Sequence, residues 1–274
     1  MARQWISLEL PNQGSCAIPT GMNELEEILE VATDIAERAA ELAFSYFRKP
    51  ILIEMKENQT PVTVADKKTE EFIRKSLLEA FPGFGILGEE LGEESTHNQY
   101  VWTVDPIDGT RSFVRGIPLF GTLIGLLDRG EPIGGIMVLP ALQETYWAGT
   151  DLGAYCNDHQ IHVTDTNDLS TAVMGVGDVY AFREAGKEKA FRSLTEKTEI
   201  CRGYTDCFGH SLVLRGAMDA MVDPVISIWD IAPLACLVEE AGGEYFDFHG
   251  ERTIRGKTFI TSGPGLKKEI LSLI

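Results

Sequence analysis

An apolar run that ends in carboxylates limits what this chain can fold into. The stretch "YVWTVDPIDGT", Tyr100 to Thr110, starts as a buried strand would and closes on Asp105 and Asp108. Charge left unpaired at the end of a buried strand is costly, so the fold must bring something positive to this point. Two further segments share the pattern. "GILGEELG" places Glu89 and Glu90 after a short apolar run, and "SIWDIAP" places Asp230 at the start of a predicted helix. Each acid stands where an apolar segment ends, which is where open α/β sheets hold their ligands.

The surrounding pattern supports such layers. From Asn23, the residues Leu25, Ile28, Leu29, Ala32, Ile35, Ala36, Ala39, Leu42 and Ala43 recur at helical spacing. A second amphipathic helix is predicted over 66–80, stopping at "FPGFG". "FGTLIGLLD", "EPIGGIMVLP" and "ETYWAG" read as strands, and the short "RGE" link between the first two makes an antiparallel hairpin. Beyond Asp151, strand-like runs alternate with helical ones near 184–196, 207–216, 230–241 and 264–273. This alternation predicts α/β layers in two fused sub-domains: an extension over 1–22, an α+β unit over 23–150, and a second unit over 151–274.

Composition narrows the function classes. With 42 Asp and Glu against 24 Lys and Arg, a net charge of −18 argues against a nucleic-acid surface. No apolar run of spanning length occurs, so no membrane segment is expected. The five cysteines are scattered without a C-x-x-C pair, which removes zinc ribbons and redox pairs and reads as reduced thiols in a cytoplasmic protein. Phosphate-loop, H-E-x-x-H and G-x-S-x-G patterns are absent as well.

Converging carboxylates suit a hard divalent cation, above all Mg²⁺, which is held by a few carboxylates together with water and substrate phosphate. Asp105, stiffened by Pro106, suits a bridge between two ions, and the Ile107 carbonyl is a further candidate ligand. Gly109 permits close backbone approach to phosphate, and Thr110 is placed to orient an attacking water if a carboxylate takes its proton. Asp66 in "TPVTVAD" is the candidate acceptor. Taken singly, Asp108-Gly109 is a common turn and Asp230 a plausible helix cap; an EF-hand is excluded because Ile107 and Gly109 stand at the third and fifth positions.

"GEE", "WTVDPIDGTRSF" and "WDIAPLACLVEEAGG", with "PVTVADKKTE" and "GAYCNDHQIHV" in the expected order, resemble the signature segments of the inositol monophosphatase family of metal-dependent, lithium-sensitive phosphatases. The resemblance spans roughly residues 25–270. It implies a layered α-β-α-β-α sandwich, a homodimer, and two or three Mg²⁺ ions per active site. Glu89, Asp105 and the Ile107 carbonyl would hold the first ion, and Asp105, Asp108 and Asp230 the second. Glu89 and Thr110 would activate the water, with Asp66 behind Thr110, and the Gly109 and Thr110 amides would grip the phosphate. Arg111 departs from the small polar residue that many relatives carry.

The substrate is read from the second half. "RGYTDCFGHSLVLRGAMDAMVDP" resembles the matching segment of the histidinol-phosphatases within this family, although its "GYTD" tyrosine departs from them. Asp206 and Asp223 would suit an ester bearing an ammonium group, through charge-assisted hydrogen bonds. Asp206 also precedes a predicted helix and is a candidate cap. The expected substrate is a small phosphorylated metabolite, L-histidinol phosphate ahead of inositol 1-phosphate; a binding protein that has lost catalysis is the alternative from another class. His210 is expected to be packed or capping, and His159 and His162 to face solvent.

Overall fold

The computed structural model describes residues 22–55 and 61–274. Apart from Met22, the extension set at 1–22 lies outside the described residues.

Helix α1 (Met22–Tyr46) buries Leu25, Leu29, Ala32, Ile35, Ala36, Ala39 and Ala43, the stripe expected from their spacing. A two-stranded ribbon, β1 (Ile53–Met55) and β2 (Pro61–Thr63), leads into α2 (Val64–Ala80). The start of α2 is set by Thr63, whose hydroxyl accepts from the Ala65 amide while the Asp66 carboxylate accepts from the Thr63 amide.

A large sheet follows, built from β3 (Gly85–Gly88), β4 (Gly92–Glu94), β5 (Tyr100–Asp108), β6 (Gly121–Asp128), β7 (Glu131–Leu139), β8 (Glu144–Gly149), β9 (Gly153–Cys156) and β10 (His159–Gln160). Its order is β10-β9-β8-β7-β6-β5-β3-β4, antiparallel throughout except for the β3–β5 pair. The β6–β7 hairpin is the one expected from "RGE". A short helix, α3 (Thr110–Val114), leaves the end of β5. The sheet continues past residue 150, because β9 and β10 pair onto its edge.

The second sheet comprises β11 (Val173–Val176), β12 (Ile200–Arg202), β13 (Ala220–Asp223), β14 (Glu244–Phe246) and β15 (Phe259–Ser262), in the order β12-β11-β13-β15-β14. Its helices are α4 (Val179–Glu184), α5 (Glu188–Lys197), α6 (Asp206–Leu214), α7 (Ile228–Glu240) and α8 (Lys267–Leu271). The helix predicted near 184–196 is α5, which starts later, at Glu188; α4 is an additional helix that ends at Glu184, and Gly186, at φ +68°, turns the chain between them.

Three apolar layers join these elements into an α-β-α-β-α sandwich. Leu29 and Ile73 of α1 and α2 pack on Ile86, Trp102, Ile124 and Ile136 of the large sheet. The opposite face of that sheet, through Leu123, Met137 and Tyr146, packs on Ile231, Leu234 and Leu237 of α7, which also meet Tyr245 and Phe259 of the small sheet. Phe182, Leu194 and Ile270 of α4, α5 and α8 close the far side. Each such side chain contributes about 1.5–3 kcal/mol on burial.

Helix α7 is seated unusually close to the large sheet. A Cβ at Gly135 would fall 2.2 Å from the Pro233 carbonyl oxygen, and one at Gly125 would fall 2.9 Å from the Pro233 nitrogen. Backbone therefore meets backbone where β6 and β7 pass under the helix that begins beside Asp230.

Candidate active site

The end of β5 is bulged. Asp105 pairs with Leu123 and Asp108 with Gly121, so three steps along β5 are set against two along β6. Pro106 has no N–H to lose, and its carbonyl accepts from the Thr122 hydroxyl at 2.9 Å. The Ile107 amide turns back to Asp105 Oδ1 at 2.9 Å. The extra residue sends both Asp105 and Asp108 toward one end of the strand rather than to opposite faces.

Asp230 reaches the same place from α7. Oxygens of Asp105, Asp108 and Asp230 lie within 4.8 Å of one another. Ser227, not Asp230, is the cap of α7; its amide donates at 3.0 Å to Oδ2 of Asp230, the third helical residue, while Asp230 Oδ1 is buried with no hydrogen-bond partner among the described residues. Asp108 is braced by the Cys207 amide in the first turn of α6. Burial pushes the Asp105 and Asp108 carboxyls well above the ordinary carboxylate range, and neighbouring acids add to the shift: Glu89 foremost at Asp105, Asp206 foremost at Asp108. The Asp230 carboxyl is pushed up to about 7 by burial and then by Glu89. An orphaned carboxylate oxygen inside a cluster of mutually repelling acids fits a hard divalent cation.

Glu89 stands directly after β3, its amide bonded to the Val104 carbonyl at 3.1 Å, next to Asp105. Its charge acts on Asp66, Asp105 and Asp230. Asp66 is buried in the first turn of α2, where Oδ2 accepts from the Thr63 amide (2.8 Å) and hydroxyl (2.6 Å). Burial raises its pKa. Its Oδ1 is left facing the Thr110 hydroxyl at 3.4 Å, while that hydroxyl donates at 2.9 Å to the Ile107 carbonyl. One proton cannot serve both, so Ile107 holds it here and Asp66 is the alternative acceptor.

Asp206 is not the cap that its position suggested. Thr205 occupies the cap position, and Asp206 is the first residue of α6 at φ +59°, a left-handed conformation uncommon outside glycine. Its Oδ2 accepts from the Thr205 hydroxyl at 2.8 Å and lies 3.3 Å from where a Cβ on Gly109 would stand. The Asp206 carboxyl is pushed up to about 6, mainly by burial, with Asp223 adding to the shift and His210 opposing it. Asp223 Oδ2 meets His210 Nε2 at 2.9 Å, and His210 Nδ1 meets the Thr261 hydroxyl at 2.8 Å. His210 is fully buried, so the packed role expected for it is the one found. Arg111, the residue after Thr110 in α3, is exposed.

Two groups beside the site were not singled out in the sequence. Asp178, at the start of α4, adds its charge to Asp206. Glu70 is fully buried in α2, one turn beyond Asp66. A charged residue on the apolar stripe of an amphipathic helix was the available signal for Glu70.

A model of the inositol monophosphatase family matches residues 24–274. A histidinol-phosphatase of Chlorobaculum parvum is 34% identical over 248 residues, 90% of this chain and 96% of its own length. An inositol-1-monophosphatase of Rhizobium meliloti is 36% identical over 194 residues, 69% of this chain and 73% of that one. The solved inositol monophosphatase of an Anabaena (Nostoc) species superposes with a TM-score of 0.82 at 29% identity, covering 91% of this chain and 96% of that one. No helix among the described residues is long and apolar enough to cross a membrane. With a family match that covers nearly all of its length, and an acidic cluster suited to the metal dependence of that family, this chain belongs to the inositol monophosphatase family of phosphoric monoester hydrolases.

Proposed function

We propose that the chain is a Mg²⁺-dependent phosphomonoesterase acting on a small ester with an ammonium group near its phosphate, and specifically on L-histidinol phosphate. The observation that carries the substrate reading is the Asp206 carboxylate beside Gly109. An acid next to a phosphate cradle repels the substrate unless a cation faces it, and a substrate ammonium supplies that cation. Asp223, held by His210, which Thr261 fixes in turn, adds a second acid to the same region. The histidinol-phosphatase of C. parvum, similar over 90% of this chain, supports the same substrate.

Asp105, Asp108, Asp230, Glu89 and the Ile107 carbonyl would hold two or three Mg²⁺ ions. Bound there, such ions would supply a nucleophilic water at neutral pH and would neutralise charge on the transferring phosphoryl group. The chain's own residues do the positioning. Gly109 and Thr110 receive the phosphate, Glu89 and Thr110 orient the water, and Asp66 Oδ1 takes the Thr110 proton once the Ile107 carbonyl is otherwise engaged.

A second reading, inositol 1-phosphate as substrate, rests on the R. meliloti relative. Steady-state assays with Mg²⁺ separate the two. L-Histidinol phosphate is expected to be hydrolysed with the higher kcat/KM. Asp206→Asn should lower that value by roughly 10–100-fold, the worth of one charge-assisted hydrogen bond, and leave a neutral polyol phosphate nearly unaffected. Equal or better turnover of inositol 1-phosphate by the unaltered enzyme overturns the substrate reading and leaves the metal chemistry standing.

A further inference from the structure

The geometry points to Glu70, backed by Arg74, as the positioning residue that holds the Glu89 turn against the acidic cluster; this rests on the reading of Glu89 as metal ligand and water activator. The turn between β3 and β4 runs from Glu89 to Leu91, and its conformation decides where the Glu89 side chain points. Glu70 clamps it from below. One carboxylate oxygen accepts from the Glu90 amide at 2.7 Å, and the other from the Leu91 amide at 3.1 Å and from Arg74 Nη1 at 3.3 Å. Arg74 also donates to the Gly92 carbonyl at 2.8 Å and meets Glu94 at 3.5 Å, so the far side of the turn is tied to the same helix.

The fit is close. The Glu70 side chain is fully buried, and a Cβ on Gly88 would lie 1.9 Å from Glu70 Oε1. A plain apolar contact would leave the two turn amides without acceptors, and a buried unpaired amide is costly. Asp66 and Glu70 are four residues apart and so share one face of α2. A single helix face therefore reaches both groups proposed to orient the water: Thr110 through Asp66, and Glu89 through Glu70.

Glu70→Gln keeps the shape but turns an amide NH₂ toward a backbone N–H, which releases one end of the turn. In the full-length protein, the Mg²⁺ concentration giving half of the maximal rise in Tm, measured without substrate, is expected to increase about 10–100-fold, the usual effect of disturbing the groups that orient a metal ligand. Half-maximal hydrolysis should shift by the same factor and recover at saturating Mg²⁺. Arg74→Met should shift both in the same direction, more weakly, and it serves if Glu70→Gln does not fold. Glu89→Gln is run beside them. A large shift in Glu89→Gln with unshifted midpoints in folded Glu70→Gln or Arg74→Met overturns the positioning role alone. An unshifted Glu89→Gln overturns the reading of Glu89 and the positioning role with it. A lower Tm with an unchanged Mg²⁺ midpoint marks Glu70 as structural only, which also defeats the inference.

Discussion

Replacing Asp105 with asparagine is expected to lower kcat by about a hundred- to a thousandfold while far-UV circular dichroism stays native. Asp105 is the middle member of the cluster. It is buried in β5, its oxygens are within reach of those of Asp108 and Asp230, and Glu89 raises its pKa after burial. The amide removes one negative charge and half of the oxygen donors, and losing a group that stabilises transition-state charge typically costs a hundred- to a thousandfold. The fold should survive because asparagine keeps the oxygen that accepts from the Ile107 amide, and with it the bulge. Full turnover in a folded Asp105→Asn protein would rule out the cluster as the seat of catalysis.

The metal-free protein is expected to lose thermal stability as pH rises from 5 to 8. A carboxyl whose native pKa exceeds its unfolded value holds extra protons in the native state between those values, so stability falls as pH climbs through that interval. Asp206 is displaced from 3.8 to about 6 and Asp230 from 3.8 to about 7, and Asp105 and Asp108 are displaced upward as well. The window therefore runs from about pH 4 to pH 7 and beyond. Shifts of this kind are worth several kcal/mol together, a fall in Tm on the order of 10 °C. Added Mg²⁺ should restore more stability at pH 8 than at pH 6, because protons compete for the same oxygens. A melting temperature in chelator that stays level or climbs over this range would contradict the crowding of charge described for the site.

Much of this was readable in the amino-acid string wherever a signal was local and periodic. The apolar stripe of α1, the β6–β7 hairpin and the run into Asp105 and Asp108 are all set by residues near one another in the chain. The convergence of Asp230 with Asp105 was legible from their shared place at the ends of apolar segments and from the family resemblance, although the contact itself depends on α7 crossing the large sheet. The bulge at Pro106 was not legible, because register is a property of two strands and β6 lies more than ten residues on. Glu70 carried a local signal, its charge on the apolar stripe of α2, but what it holds did not: the Glu90 and Leu91 amides are twenty and twenty-one residues away. Asp206 looked like a cap because Asp favours that position, whereas Thr205 takes it and Asp206 follows with a left-handed backbone. Helix α4 had no counterpart in the sequence reading, and α5 begins four residues later than expected, after Gly186.

Pro233 resting on Gly125 and Gly135 acts as a dovetail between the halves of the molecule. No rotatable side chain separates the two backbones there, so the spacing between Asp230 and the aspartates of β5 is cut into the joint itself. A fragment ending before α7 would carry Glu89, Asp105 and Asp108 yet lack the third wall of the cage. Tight cation uptake should therefore appear only after the two parts have docked, which makes it a late reporter of assembly rather than a seed for it.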